Sequence, residues 1–131
     1  MRTLVPGEAA GEVLALDEPL SFWGGVDPAS GEIIDVHHPQ RGANVRGTVL
    51  VMPGGRGSSS SSSVLAEAIR AGNGPAAIVL LEPDPIVALG AIVARELYGV
   101  VVPVVVGDVD LANGARAVLE AEPEGAVVLR A

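Results

Sequence analysis

The residues best suited to chemistry are a glycine turn and the run of serines that follows it. They are Pro53-Gly54-Gly55-Arg56-Gly57 and then Ser58 to Ser63, directly ahead of an apolar, helix-forming segment. Serine is favoured at the start of a helix, where unpaired N–H groups and the helix dipole attract negative charge. Arg56 adds a fixed positive charge beside that point. The sequence therefore predicts an anion-binding site at the start of a helix.

The turn does not match the common motifs for nucleotides or for nucleophilic serines. The Walker A motif requires a lysine, and this chain has none; the glycines also lack the Gly-x-Gly-x-x-Gly register. The Gly-x-Ser-x-Gly elbow does not match, and a Ser-His-Asp triad would need His37 or His38 from a distant loop. A purely structural role, in which one serine caps the helix, stays open. Six serines exceed that need, because the others lower helix propensity.

A serine in this turn acts as a base only if its alkoxide is stabilised. The helix N-terminus, the N–H groups of Gly57 and Ser59 and the charge of Arg56 all favour the alkoxide. That stabilisation requires a dry pocket, and an exposed turn on a chain of 131 residues does not exclude water by itself. We therefore expect a partner protein to cover the turn.

Composition and charge exclude several classes of partner. The chain has 131 residues, 49% of them apolar, without a repeat or an internal boundary, so residues 1–131 are predicted to form a single domain. Eight arginines stand against sixteen acidic residues, and the net charge of -8 disfavours binding to nucleic acid and to anionic membranes. The first residues lack the apolar core of a signal peptide, and charges interrupt the apolar stretch 86–106. We expect a cytoplasmic protein.

The remaining chemically capable residues give weaker predictions. Because the chain has no cysteine, it supplies no disulfide, catalytic thiol or thiolate metal ligand. His37 and His38 are metal candidates with Asp35, but neighbours on an extended segment point to opposite faces, so we predict exposed loop histidines and no metal site. Asp27 is a weaker candidate for the site. The Phe22-Trp23-Gly24-Gly25 loop is expected to pack or dock rather than react.

The apolar patterns predict an α/β fold with a central βαβαβ unit and additional antiparallel strands from the chain ends. Gly72 is suited to end the first helix, and Asp84 is suited to cap the second. The predicted strands cover residues 12–16, 45–52, 76–81, 100–106, 115–120 and 126–129, and residues 31–35 are predicted as a short strand or an extended arm. The predicted helices cover residues 59–71 and 84–97. Apolar residues at helical spacing mark a face of the second helix, namely Ile86, Leu89, Val93 and Leu97.

Four short segments, in the same order along the chain, are similar to those of one known family. They are residues 19–28 (PLSFWGGVDP), 35–39 (DVHHP), 55–60 (GRGSSS) and 75–79 (PAAIV). The chain thus resembles the small subunit, or swivel domain, of aconitase X. The resemblance implies a swivelling β/β/α domain that docks on a separate large subunit. In that family the large subunit carries the cysteines of an iron–sulfur cluster, so no cofactor is expected on this chain.

The resemblance also implies a catalytic role for Ser58. In the wider aconitase group, a serine from a Gly-Ser-Ser-Arg turn takes a proton from the carbon next to a carboxylate, while the cluster iron accepts the leaving hydroxyl. Ser58 is the first serine after Gly57, which makes it the expected base. Arg56, Gly57 and Ser59 are expected to bind a small carboxylate substrate. Ser60 stands where aconitase has the arginine, so Arg56 is the candidate replacement for that positive charge.

Two reactions are associated with aconitase X, and both are dehydrations. One substrate is cis-3-hydroxy-L-proline and the other is 5-phosphomevalonate. The long serine tract and the Ser-Phe-Trp-Gly-Gly form favour the hydroxyproline reaction, with 5-phosphomevalonate as the alternative. A non-catalytic anion-binding or scaffold module is the alternative from a different class of function.

Overall fold

The structure is a computed structural model that describes residues 1–123, 125 and 127–130. The strands are β1 (Arg2–Val5), β2 (Gly7–Ala15), β3 (Val49–Met52), β4 (Ala77–Leu80), β5 (Val104–Val106), β6 (Arg116–Ala121) and β7 (Val127–Arg130). The helices are α1 (Phe22–Gly25), α2 (Ser60–Arg70) and α3 (Pro85–Tyr98). The strands lie in the order β1-β5-β4-β3-β2-β6-β7.

The centre of the sheet is parallel and its flanks are antiparallel. Strands β2, β3, β4 and β5 pair in parallel, and α2 and α3 connect β3 to β4 and β4 to β5. Strand β1 pairs antiparallel with β5, while β6 pairs antiparallel with β2 and with β7. The predicted βαβαβ unit with antiparallel strands from both chain ends is therefore confirmed.

Strand β2 belongs to two sheet layers. Its residues 7–12 pair with β6, and its residues 13–15 pair with β3. Gly11 lies at this change of partner, and a Cβ there would overlap the Gly47 carbonyl oxygen, so only glycine fits. Strands β6 and β7 consequently fold over one face of the parallel strands, and Leu119 packs there with Val49 and Val79. The helices cover the other face, giving the predicted β/β/α layers.

Several strand boundaries differ from the prediction. Strand β1 and the first half of β2 were not predicted, because they are short or rich in glycine and alanine and show no apolar alternation. Strand β3 begins only at Val49, since Gly47 has a φ of 68° and places a turn before it. Val100 and Val101 are 39% and 46% exposed and precede β5 rather than belonging to a buried strand. The predicted tail strands are present, but Glu124 and Ala126 of their turn region lie outside the described residues.

The buried face of α3 also differs from the predicted one. Leu89 and Leu97 are 52% and 69% exposed. The residues that α3 buries are smaller, namely Val87, Gly90, Ala91 and Ala94. A Cβ on Gly90 would lie 2.9 Å from the Ser62 carbonyl oxygen, so the absence of a side chain permits the close approach of α2. Close helix packing, rather than side-chain size, selects this face.

The topology brings two helix starts to one edge of the sheet. Helix α2 follows the end of β3, and helix α3 follows the end of β4. Because β3 and β4 are adjacent and parallel, both helices begin at the carboxyl edge of the parallel strands. In α/β sheets this edge is the usual place for ligands. The glycine turn and the serines lie there.

Candidate functional site

The serine turn, defined here as residues 53–59, is held from two sides. On one side Leu20 pairs with Gly55: Arg56 N–H donates to the Leu20 carbonyl at 3.2 Å, and Leu20 N–H donates to the Gly54 carbonyl at 3.4 Å. On the other side Gly55 N–H donates to Oδ2 of Asp84 at 2.9 Å. Both anchors are distant in sequence, so the tertiary fold fixes the shape of this turn.

Ser58 lies at the open end of the turn and is half-buried. Its Oγ accepts a hydrogen bond from Ser60 N–H at 3.2 Å, and its carbonyl accepts one from Ser61 N–H at 2.9 Å. Ser59 occupies the N-cap position of α2, yet its side chain makes no capping hydrogen bond with the described residues. A donor on Oγ favours negative charge on that oxygen. The amide in contact with Ser58 Oγ is therefore that of Ser60, which the sequence did not predict.

A row of free amides surrounds Ser58. Gly57 and Ser59 are exposed, and the N–H groups of residues 57, 58 and 59 donate no hydrogen bond to any residue that the structure describes. These amides lie just before α2, whose first N–H groups, of Ser60, Ser61 and Ser62, are paired with Ser58 and Ser59. Unpaired N–H groups next to the positive end of a helix attract carboxylates and other anions. Around Ser58, the N–H groups of Gly57 and Ser59 are therefore without an acceptor among the described residues.

Arg56 has a partner that sequence reasoning missed. Its Nη2 lies 3.3 Å from Oε1 of Glu18, and the two side chains are 49% and 50% exposed. Glu18 is 38 residues away in sequence, and no local signal connects it with the turn. An exposed ion pair of this kind contributes about 0–1 kcal/mol to stability, so a bound carboxylate can replace Glu18 at low cost.

Two serines of the tract have structural roles. Ser62 Oγ is buried and donates to the Ile86 carbonyl at 2.6 Å, which ties α2 to the first turn of α3. Ser61 Oγ is also buried; it accepts from Trp23 N–H at 3.2 Å and lies 3.0 Å from Ser21 Oγ. These contacts explain part of the excess of serine without any chemistry. Ser63 is exposed and lies outside this network.

The two aromatic residues of the loop 22–25 have different environments. Phe22 is 1% exposed and belongs to the core, whereas Trp23 is 59% exposed. Ser21 Oγ donates to the Trp23 carbonyl at 3.0 Å, so the Ser61 hydroxyl donates to Ser21, and the three hydrogen bonds form a closed ring. The ring fixes this loop to the first turn of α2. Phe22 packs as predicted.

The two histidines differ from one another. His37 is exposed, as predicted, but His38 is only 3% exposed and the prediction is wrong for it. His38 N–H donates to the Asp35 carbonyl at 3.1 Å, so the backbone turns here and is not extended, which brings the His38 ring inward. Its Nδ1 accepts from Gln40 N–H at 3.0 Å, and its Nε2 lies 3.2 Å from the Glu18 carbonyl. Both ring nitrogens have backbone partners, so His38 is a structural residue.

Asp27 also has a local structural role. Its Oδ1 accepts from Ala29 N–H at 2.9 Å, and its Oδ2 accepts from the Ser30 hydroxyl at 3.2 Å. This is the turn-forming arrangement that aspartate commonly adopts. Both carboxylate oxygens of Asp27 are used within the turn.

The chain by itself offers little room for a ligand beside the serine turn. The depression there, lined by Leu20, Phe22, Gly57 and Ser61, has a volume of about 10 Å³, enough for one water molecule at most. Among residues 1–123, 125 and 127–130, no three histidine, cysteine, aspartate or glutamate side chains are grouped to hold a metal ion. With no cysteine in the sequence, the residues present do not fit an iron–sulfur cluster. Within the described chain, no helix has the length and apolar character to cross a bilayer.

Comparison with known proteins identifies the family. Residues 1–128 match the aconitase X swivel domain. The chain is 59% identical over 103 residues to a cis-3-hydroxy-L-proline dehydratase of Pseudomonas aeruginosa. The aligned residues cover 79% of this chain and 18% of that protein. It is 47% identical over 93 residues to a phosphomevalonate dehydratase small subunit of Methanothermobacter thermautotrophicus, covering 71% of each chain.

A solved structure agrees with the sequence comparisons. The crystal structure of Thermococcus kodakaraensis aconitase X in its holo form superposes with a TM-score of 0.86 at 36% identity, covering 99% of this chain and 95% of that one. The chain spans less than a fifth of the length of the P. aeruginosa dehydratase, and of a Hypocrea jecorina protein with the same name. The β/β/α architecture predicted from the resemblance is confirmed. The chain belongs to the aconitase X swivel domain family.

Proposed function

We propose that this chain is the small subunit of a heteromeric hydro-lyase of the aconitase X type, and that the complex dehydrates cis-3-hydroxy-L-proline. The observation that carries the proposal is the half-buried Ser58 at the open start of α2, in a chain 59% identical to a protein named for that reaction. Residues 1–131 would act together as one swivel domain. The proposal assigns chemistry to this chain as well as docking.

Ser58 is the proposed base. Dehydration removes a proton from one carbon and hydroxide from its neighbour, and the electrons of the C–H bond become the second bond of the new double bond. Ser58 Oγ would take that proton from the carbon next to the substrate carboxylate. The hydrogen bond from Ser60 N–H and the positive end of α2 support the alkoxide that this step requires.

The free amides and Arg56 are proposed to bind the substrate carboxylate. Among the described residues, the N–H groups of Gly57 and Ser59 have no acceptor, and the side chain of Arg56, the residue before Gly57, has only the exposed ion pair with Glu18. A carboxylate that bridges these donors would sit next to Ser58 Oγ, with its adjacent carbon within reach of the base. In this arrangement the substrate carboxylate replaces the Glu18 carboxylate as the ion-pair partner of Arg56.

A large subunit is the proposed partner. The depression beside the serine turn holds one water molecule at most, so the substrate must be enclosed by another surface. The described residues do not fit an iron–sulfur cluster, and we assign that group to cysteines of the large subunit. Closure of the swivel domain onto this partner would also exclude water from Ser58, which strengthens every electrostatic contact to the alkoxide.

Replacing the proposed base tests the function directly. The complex of this chain with its large subunit should assemble normally with Ser58→Ala, and kcat on cis-3-hydroxy-L-proline should fall by about 10²- to 10⁴-fold because general-base catalysis is lost. Ser63→Ala is the matched control, since Ser63 is an exposed serine of the same tract. Near-normal turnover by an intact Ser58→Ala complex would contradict the proposal.

A second substrate is favoured by a different comparison. The phosphomevalonate dehydratase small subunit of M. thermautotrophicus is matched over 71% of its own length, against 18% for the P. aeruginosa protein. Turnover of 5-phosphomevalonate, but not of the hydroxyproline, by the assembled complex would favour this alternative. If neither is dehydrated and this chain alone binds a small carboxylate, a non-catalytic anion-binding module is the correct interpretation.

A further inference from the structure

The Asp84 carboxylate connects two parts of the structure that the sequence treats separately. Its Oδ1 accepts from the N–H groups of Ile86 and Val87 at 2.9 and 3.2 Å and so caps α3, as predicted. Its Oδ2 accepts from the N–H of Gly55, 29 residues away in the serine turn, at 2.9 Å. The Asp84 side chain therefore caps α3 and also binds the turn that precedes α2. Three N–H donors to a single carboxylate keep it in a fixed orientation.

The fit between Asp84 and Gly55 is close. A Cβ on residue 55 would overlap Oδ2 of Asp84 and would lie 3.2 Å from Cγ2 of Val87. The absence of a side chain at Gly55 is therefore what allows the carboxylate to reach the backbone N–H. This close approach explains why the second glycine of the turn is a glycine.

A second contact ties the far end of the same segment to the same helix turn. Ser62 Oγ donates to the Ile86 carbonyl at 2.6 Å. Residues 55–62 are thus bound at their first residue by Asp84 and at their last by Ile86, and Ser58 lies between the two attachments. The first turn of α3 braces the backbone on both sides of the proposed base.

We propose that Asp84 is a positioning residue for the dehydration. By holding Gly55 N–H, it fixes the bend three residues before Ser58 and so sets the direction of Ser58 Oγ and of the neighbouring free amides. This inference rests on the proposed function of Ser58 and extends it to a residue that acts through the backbone of the turn. The mechanism is geometric, because a displacement of about 1 Å in a reacting group can cost 10²-fold in rate.

Replacement of Asp84 by serine separates capping from positioning. Serine is as good an N-cap as aspartate, so Asp84→Ser should preserve the start of α3 and the stability of the fold. Serine has only one side-chain oxygen, on a shorter side chain. It therefore cannot cap α3 and accept the hydrogen bond from Gly55 N–H at the same time. In the assembled complex we expect kcat to fall by about 10- to 100-fold while KM changes much less. Hydrogen exchange of the Gly55 amide should become faster in the same complex.

A second variant keeps the test decisive if Asp84→Ser disturbs folding. Gly55→Ala should displace the Asp84 carboxylate through overlap with the new Cβ, and should lower kcat in the same way. In the Gly55→Ala/Asp84→Ser double variant the two losses should not add, because each removes the same hydrogen bond. Losses in kcat that add fully would overturn the positioning role, as would wild-type kcat in a folded Asp84→Ser complex.

The outcomes also separate this inference from the proposed function. If Ser58→Ala is inactive and Asp84→Ser retains wild-type kcat, Ser58 is the base and the positioning role of Asp84 is wrong. If Ser58→Ala retains turnover, the base assignment fails and the positioning role fails with it. A loss of kcat in both variants, with faster exchange at Gly55 only in Asp84→Ser, supports both.

Discussion

Helices α2 and α3 begin side by side at the same edge of the sheet, yet their first turns are built differently. Helix α3 has a proline in its first turn and a carboxylate that accepts two of its N–H groups. Helix α2 has no side-chain cap from Ser59, and its first N–H group, of Ser60, donates to Ser58 Oγ. The N–H groups of residues 57–59, just before the helix, have no acceptor among the described residues. The start of α3 therefore stabilises the fold, whereas the residues before α2 leave backbone donors available to a ligand.

The difference is reflected in the sequence of each start. Asp84-Pro85 is a favourable beginning for a helix, because aspartate caps and proline has no N–H to leave unpaired. The serine tract is a poor beginning in terms of helix propensity. Ser61 and Ser62 offset part of that cost through buried hydrogen bonds to α1 and α3. Contacts with α1 and α3 therefore stabilise the start of α2.

The largest effect on stability is expected from exchanging the two N-cap residues for alanine. Asp84→Ala should lower the free energy of unfolding by about 1–2 kcal/mol, because α3 loses its cap. Ser59→Ala should change it by about 0.5 kcal/mol or less, since its side chain makes no capping hydrogen bond. Urea denaturation of the two variants measures the difference. Equal losses would mean that the two starts are capped alike.

A smaller effect is expected where α2 is attached to α3. Ser62→Ala removes the buried hydrogen bond to the Ile86 carbonyl and should lower the free energy of unfolding by about 1 kcal/mol. Thermal or urea unfolding provides the measurement, with Ser63→Ala as the neighbouring control. If Ser62→Ala is no less stable than that control, the hydrogen bond from Ser62 to Ile86 does not stabilise the start of α2.

The smallest effect is expected at Ser63 itself. Ser63 is exposed within α2, so Ser63→Ala should raise the free energy of unfolding by about 0.5 kcal/mol through helix propensity alone. The kcat of the assembled complex should stay unchanged, as measured under the conditions used for Ser58→Ala. A marked loss of activity would show that the part of the tract needed for turnover extends along α2 to Ser63.

Local signals were sufficient to predict the centre of the fold. The continuous apolar run at β4, the glycine that ends α2 and the Asp84-Pro85 pair each identify an element from a few adjacent residues. The serine turn was predicted in the same way, since glycine and serine there follow a predicted strand directly, whereas the role of Ser58 was predicted from the resemblance to aconitase X. The order of these elements is enough to predict the βαβαβ unit.

What the sequence did not predict depends on contacts between distant segments. Glu18 reaches Arg56 across 38 residues, and Asp84 reaches Gly55 across 29. The inward ring of His38 follows from a turn that no residue pattern marked, and the buried face of α3 follows from how closely α2 approaches Gly90. In each case the determining factor is a distance in the folded chain, which composition and spacing do not contain.

The close approach of α2 and α3 at Gly90 has a consequence for movement of the domain. Because the Ser62 carbonyl leaves no space for even a methyl group there, the two helices pack with their backbones in close contact. We therefore expect any hinge that carries this domain toward or away from a partner to lie outside the helix pair. Ser58, which we propose as the proton acceptor, and Asp84 would then move as one rigid body, with their mutual geometry unchanged.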